Sequence, residues 1–143
     1  MLGFCSAALP CTVPPQAVIR DHAALVNEAG VIVIVEAVAG ADSKGKTCQL
    51  RIVRTLKGNT TKSFQIACRL PGAGDWMTNF SAHSDTEFWQ RRGGRLGING
   101  DCTLIPPAFE VGHQYLVFLG VSPDTKQFEE IAGPADKWLV FVE

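Results

Sequence analysis

Alternation of apolar and polar residues dominates the middle of the chain and predicts β-strands there. Residues 31–38, VIVIVEAV, are dense in β-branched side chains and bounded by glycines, which indicates a well-buried strand. Residues 47–56 and 63–70 have the pattern of two further strands, and the turn signal at residues 57–60 predicts that they form a hairpin. A fourth strand, QYLVFLG, is predicted at residues 114–120.

Helical patterns appear in two short places outside these strands. Residues 16–29 carry an apolar stripe, with Pro15 before them and Gly30 after them, as suits the two ends of a helix. The long connection of residues 71–102 contains SDTEFWQRRGG at residues 84–94. The serine and glutamate three positions apart in that stretch match a capping box and predict a second short helix.

The end of the chain completes the predicted fold. A hairpin is expected over residues 127–142, broken at the Gly-Pro step of residues 133–134, so that KWLVFV closes the sheet as a strand. Five or six strands with one or two short helices predict an all-β fold, an OB-type Greek-key barrel, with an open sandwich as the competing arrangement. Residues 11–143 are interpreted as one domain, because no internal repeat or low-complexity segment interrupts them.

Composition excludes several classes of function. Of the 143 residues, 46% are hydrophobic and 19% are charged, which is typical of a folded chain. The net charge is −1 and the lysines and arginines form no stripe, so binding of nucleic acid through its phosphates is not expected. No apolar run approaches the roughly 20 residues that a membrane-spanning helix needs.

The first ten residues change the interpretation of the five cysteines. MLGFCSAALP, residues 1–10, resembles the end of a secretory signal whose cleavage region is the run of small residues from Cys5. Cleavage after Ala7 or Ala8 would remove Cys5 and leave an even number of cysteines, as in an exported disulfide-bonded protein. The sequence therefore predicts a secreted or periplasmic protein. The alternative is an N-terminal arm on a protein with five reduced cysteines.

The four remaining cysteines, Cys11, Cys48, Cys68 and Cys102, allow three disulfide connectivities. Strand alternation puts Cys48 and Cys68 on the same apolar face of the predicted hairpin, opposite each other or one pair apart, within the distance that a bridge requires. This pairing leaves Cys11 and Cys102. Their bridge would tie the start of the domain to the end of the long connection.

Four stretches resemble a known family of extracellular proteins. CTVPPQ at residues 11–16 resembles the start of mature tissue inhibitors of metalloproteinases, and VIVIVEAV at residues 31–38 resembles the first strand of this netrin-like family. RTLKGN at residues 54–59 resembles the LKG turn of bacterial members, and FEVGHQYLVFLG at residues 109–120 resembles their F-x-V-G-x-x-Y-L-V-F signature. The resemblance covers most of residues 11–120. It implies an exported OB-fold module that contacts other proteins and is not an enzyme.

The resemblance also implies a binding edge. In the inhibitors, the amine and carbonyl of the first cysteine chelate the protease's zinc, and the next side chain enters the specificity pocket. Carried over, these roles fall to Cys11 and Thr12, with Val13, Pro14 and Pro15 as a stiff wedge that lowers the ordering cost of binding. This chain departs from the family where Val13 replaces the second cysteine and where residues precede Cys11. The structural alternative is that Cys11 only staples the arm to the barrel.

The implied partner is a protein, an extracytoplasmic protease being one candidate. A second candidate surface for it is the aromatic group in the long connection, which consists of Trp76, Phe80, Phe88 and Trp89. Function tends to concentrate in such loops. The alternative, which we prefer, is a lid that folds back over the open end of the barrel, because Phe88 and Trp89 adjoin a helix that needs a surface to pack on.

An enzyme is the alternative from another class, built on Cys68 and Cys102 with a nearby histidine such as His83. Against it, Cys68 lies on an apolar strand face, where a thiol is normally inert, and the sequence has no Gly-x-Ser-x-Gly elbow. Cys68, His83, Cys102 and His113 also lack the close spacing of structural zinc ligands. The sequence therefore predicts no catalytic residue, no metal and no cofactor.

Overall fold

A computed structural model of the chain describes residues 21–41, 46–71, 89, 106–123 and 125–143. Several predictions fall outside these ranges: the signal remnant, the inhibitor-like edge, the bridge between Cys11 and Cys102, and the helix of residues 84–94 apart from Trp89. The fold is therefore described from one helix, five strands, a second helix and their connections.

The five strands form one antiparallel sheet. They are β1 (Val31–Ala39), β2 (Thr47–Lys57), β3 (Ser63–Ala67), β4 (Gln114–Leu119) and β5 (Phe128–Ile131). Their order across the sheet is β3-β2-β1-β4-β5, so β4 lies beside β1 and the first four strands have Greek-key order. The strands predicted for β1, β2 and β4 are confirmed to within one residue, whereas β3 ends at Ala67, three residues earlier than predicted.

The central strand β1 is buried on both faces. Val33 and Val35 point to one face of the sheet, and Ile32 and Ile34 point to the other. All four side chains are buried. Burial on both faces explains why this strand is a continuous apolar run instead of an alternating one.

The sheet separates two apolar clusters. We call the first the disulfide-side cluster; it consists of Val33, Val35, Ala37, Cys48, Leu50, Cys68, Phe109, Tyr115, Val117 and Phe128. We call the second the helix-side cluster; it consists of Leu25, Ala29, Ile32, Ile34, Leu116, Phe118, Ile131, Trp138 and Leu139. Residues from every strand enter one of the two, apart from β3, whose Phe64 and Ile66 are partly buried against the first.

The first helix, α1 (His22–Glu28), packs on the helix-side cluster through the fully buried Leu25. Asp21 is extended and caps the helix, its carboxylate accepting a hydrogen bond of 2.7 Å from the Ala24 N–H. The predicted helix over residues 16–29 is therefore confirmed only for residues 22–28. The N-cap at Asp21 marks the start of α1, which the apolar stripe alone did not locate.

The final segment corrects one prediction. KWLVFV is not a strand but a second helix, α2 (Lys137–Val142), and the sheet of the described residues has five strands, the lower of the two predicted numbers. Asp136 caps it, accepting a hydrogen bond of 2.8 Å from the Trp138 N–H. Trp138 is fully buried, whereas Val140 is 61% exposed. The apolar run of residues 138–142 is too short to show a period that distinguishes a helix from a strand. The N-cap at Asp136 determines that the segment is a helix.

The turn after β2 requires glycine. Gly58 has a φ of 73°, and a Cβ atom there would lie 2.4 Å from the carbonyl oxygen of Gly30. Both facts make position 58 unsuitable for a side chain, because the left-handed conformation is unfavourable for other residues and the overlap involves backbone.

Replacing Gly58 by alanine is expected to lower the free energy of unfolding by at least about 1–2 kcal/mol, the cost of the left-handed backbone alone. Urea unfolding measures the change. Gly40→Ala is the control, because its Cβ would make an ordinary contact of 3.6 Å with Val111, and we expect it to change stability by less than about 0.5 kcal/mol. Equal losses in the two variants would contradict this account of the turn.

Candidate functional site

The structure places three of the residues that the sequence singled out as sites: Cys48, Cys68 and Trp89. The others lie outside the described residues, and their roles stay predictions; they are Cys11, Thr12, Val13, Pro14, Pro15, Trp76, Phe80, Phe88 and Cys102.

The predicted bridge between Cys48 and Cys68 is present. Its S–S distance is 2.06 Å and its Cα–Cα distance is 5.7 Å. Cys48 lies opposite Ile66, and the Cys68 N–H donates to the Lys46 carbonyl at 3.0 Å, so the two cysteines belong to successive pairs on one face. Both are buried in the disulfide-side cluster. In this oxidised form Cys68 has no thiolate that could act as a nucleophile or metal ligand.

Trp89 lies in an aromatic group between α1 and α2. Its ring centroid is 5.1 Å from that of His22, 5.5 Å from that of Trp138 and 5.6 Å from that of Phe141. Trp89 is half-buried and packs against the helix-side cluster, on the opposite face of the sheet from the disulfide-side cluster, and the lid over the end of the barrel stays a prediction. Trp138 is the residue at the centre of this group that sequence reasoning missed, because its segment was predicted to be a strand.

A further feature was not predicted as a site. An open cleft of about 380 Å³ lies between the turn before β4 and the end of β5. Its lining residues are Gly112, His113, Gln114, Glu130, Ile131, Ala132 and Gly133. Gln114 pairs with Ile131 and Tyr115 with Glu130, so His113, one residue before the last pair, lies diagonally across from Glu130, and their side chains meet at the cleft. No sequence motif links His113 and Glu130, which are 17 residues apart. Their contact becomes evident only from the register of β4 and β5.

The charged side chains around the cleft interact with one another through His113. Its Nδ1 is 2.5 Å from Glu130 Oε1, and its Nε2 is 3.6 Å from Glu110 Oε2. The hydrogen bond with Glu130 raises the pKa of His113 above its ordinary value of 6.5, against the effect of partial burial, and the charge of Glu110 adds to the rise. The imidazole therefore keeps its proton to a higher pH than a free histidine does.

The chemistry of the cleft is limited by what lines it. None of its described lining residues is a serine, threonine or cysteine. Within the described part of the chain, no group of three or more His, Cys, Asp or Glu side chains is arranged to hold a metal ion. The described groups of the cleft give it a charge that changes with the protonation of His113.

Together these features define a mainly β protein with a five-stranded antiparallel sheet, two short helices and a buried disulfide. Compared with protein-family models, with curated proteins and with solved structures, the chain matches none. The resemblance to the netrin-like family therefore stays a prediction from the sequence. Of the helices in the described ranges, neither has the length and apolarity needed to cross a membrane.

Proposed function

We propose that this protein is an exported, non-catalytic binding module of the netrin-like OB type, which recognises another protein. The observation that carries the proposal is the strand order β3-β2-β1-β4-β5. Its edges are β3 and β5, and joining them would give a closed five-stranded Greek-key barrel, the architecture of OB folds. OB barrels use their loops and one face for binding, so the fold leads to recognition instead of catalysis.

Contacts beyond the strands support closure of the barrel. After β3, the N–H of Arg69 donates to the Pro107 carbonyl at 2.9 Å, and Arg69 forms an isolated parallel bridge with Ala108. The chain that leaves β3 thus lies beside the segment that leads into β4. Phe109 in that segment is buried against Tyr115 and Phe128, with ring centroids 4.8 Å and 5.3 Å apart. In a closed barrel, the disulfide-side cluster would be the interior.

The Cys48–Cys68 bridge supports export. Disulfides form and persist mainly in oxidising compartments, such as the periplasm or the extracellular space. This bridge is buried between β2 and the end of β3, where it has a structural place and no access to a substrate. It agrees with the interpretation of residues 1–10 as a signal remnant.

The proposed binding edge is the inhibitor-like segment of Cys11, Thr12, Val13, Pro14 and Pro15. The family resemblance gives Thr12 the central contact, and hot-spot residues at protein interfaces typically contribute more than 1 kcal/mol each. A charged, longer side chain at this position should therefore weaken binding.

The test is affinity capture from an extracytoplasmic extract with the oxidised protein, followed by affinity measurement with each captured protein. We expect Thr12→Arg to lose roughly tenfold or more in affinity, which corresponds to about 1.4 kcal/mol. Asn59→Arg, on the exposed turn after β2, adds the same charge outside residues 11–15 and should bind like the wild type. Equal affinity of the two variants would contradict the proposed edge, and inhibition of a captured zinc protease would identify the partner class.

A further inference from the structure

The backbone pairing of β4 with β5 ends at the cleft. Their last backbone pair on this side is Gln114 with Ile131. Past this pair, the chain turns into residues 110–113 on one side and continues to residues 132–133 on the other. The hydrogen bond of 2.5 Å between His113 and Glu130 joins the two sides at this point. It is thus a side-chain link at the end of an edge strand that is only four residues long.

The charged groups around the imidazole come from both sides of the cleft. Glu130 faces it from β5 and Glu110 faces it from the turn. The end of β1 contacts this turn through backbone alone, since the Gly112 N–H donates to the Ala37 carbonyl and the Ala37 N–H to the His113 carbonyl.

Two further carboxylates lie near this end of the sheet and are already engaged. Glu36 pairs with Arg51 at 2.7 Å. Asp136 accepts hydrogen bonds from the backbone N–H groups of Ala132 and Trp138. Among the described residues, the imidazolium is therefore balanced against the carboxylates of Glu110 and Glu130.

Glycines flank the link on both sides. Gly112 has a φ of 85° and Gly133 a φ of 150°, and a Cβ atom at either position would meet nothing within 4 Å. The lack of a Cβ atom lowers the resistance of both backbones to a change of torsion, while the Gly112 N–H still donates to the Ala37 carbonyl at 2.8 Å. Segments of this kind serve as hinges in conformational changes.

We propose that the His113–Glu130 link is a pH-dependent latch, which holds the turn of residues 110–113 to the end of β5 when the imidazole is protonated and releases it when the proton leaves. In the protonated state the three side chains carry a net charge of −1, the sum of one positive and two negative charges. Loss of the proton leaves two carboxylates at −2 around a neutral ring, which removes the charge-assisted part of the hydrogen bond. The inference stands on described residues alone and holds whether or not the proposed function is correct.

The direction of the pH effect follows from linkage. A histidine whose pKa is raised in the folded state contributes stability that is fully present below its ordinary pKa. That contribution is lost as the pH rises through the raised pKa. The latch is therefore closed below the ordinary histidine pKa of 6.5 and opens as the pH rises through the raised pKa of His113.

Hydrogen exchange of the backbone amides at residues 112–114 and 130–132, followed by NMR across the titration of His113, tests the latch. After correction for intrinsic exchange rates, opening in the wild type should become about two- to fivefold more frequent as His113 loses its proton, the range of partly exposed ion pairs. His113→Gln should abolish this pH dependence. Because the His113 side chain is 47% exposed, we expect this variant to fold.

Two carboxylate variants separate the latch from a general effect of pH. Glu130→Gln should lower the pKa of the His113 ring and abolish most of the pH dependence, whereas Glu110→Gln, which removes the more distant carboxylate, should retain most of it. Opening that does not change with pH in the wild type, or that changes equally in the wild type and His113→Gln, would overturn the proposal.

Discussion

Replacing Glu129 by glutamine is expected to lower the free energy of unfolding by about 3–5 kcal/mol, the range for breaking a buried ion pair. The Glu129 side chain is 1% exposed, and its Oε2 lies 2.9 Å from the Nζ of Lys126, whose side chain is 10% exposed. Glu129 faces Leu116 across β4 and β5, so it is directed into the helix-side face of the sheet. The variant removes the negative charge that lies 2.9 Å from the buried lysine. Removing one partner of a buried ion pair is strongly destabilising, because the other charge stays buried.

The exposed pair of Arg51 and Glu36 offers a matched control. Its N–O distance is 2.7 Å, but the arginine side chain is 60% exposed and the glutamate 28%. Glu36→Gln should therefore cost less than about 1 kcal/mol in the same urea unfolding experiment. The double variant Lys126→Met, Glu129→Leu should recover much of the loss, because it removes both charges and keeps the volume. A cost below about 1 kcal/mol for Glu129→Gln would contradict the buried pair.

Removing the Cys48–Cys68 bridge has the second large expected effect. Its sequence separation is 20 residues, and closing a loop of that length in the unfolded chain corresponds to about 3 kcal/mol. The double variant Cys48→Ala, Cys68→Ala should unfold at a correspondingly lower urea concentration. The cysteines are buried, so part of the loss comes from the sulfur contacts in the disulfide-side cluster.

A reducing agent separates this bridge from the predicted one between Cys11 and Cys102. Wild type under reducing conditions should be less stable than the oxidised double variant, because reduction would open both bridges while the variant lacks only one. If the double variant is as stable as the oxidised wild type, the structural role of the Cys48–Cys68 bridge is contradicted. If reduction leaves the double variant unchanged, the second bridge is contradicted instead.

The parts of the fold that sequence reasoning found were those set by local patterns. The apolar runs of β1 and β4 and the alternation in β2 predicted three strands to within one residue. The bridge followed from the same alternation, because Cys48 lies on the apolar face of β2 and the alternation of β3 continues past its end to Cys68. Where a pattern of period two extends over enough residues, strand and face are both determined.

The parts of the fold that sequence reasoning missed depend on contacts between segments that are distant along the chain. Residues 138–142 form a continuous apolar run, and the segment folds as a helix because Asp136 caps it and Trp138 packs with His22 and Trp89. The His113–Glu130 link was equally invisible in the sequence, since it exists only through the register of β4 and β5. Neither arrangement follows from neighbours along the chain.

The central claim, an exported module stapled by disulfides, is tested most directly by mass spectrometry of an unreduced digest of the protein recovered from extracytoplasmic material. We predict one linked peptide pair containing Cys48 and Cys68 and a second containing Cys11 and Cys102, with no free thiol among these four. A linkage between Cys48 and Cys102 would contradict the register of the sheet. Four free thiols in this material would contradict the proposal of an exported module itself.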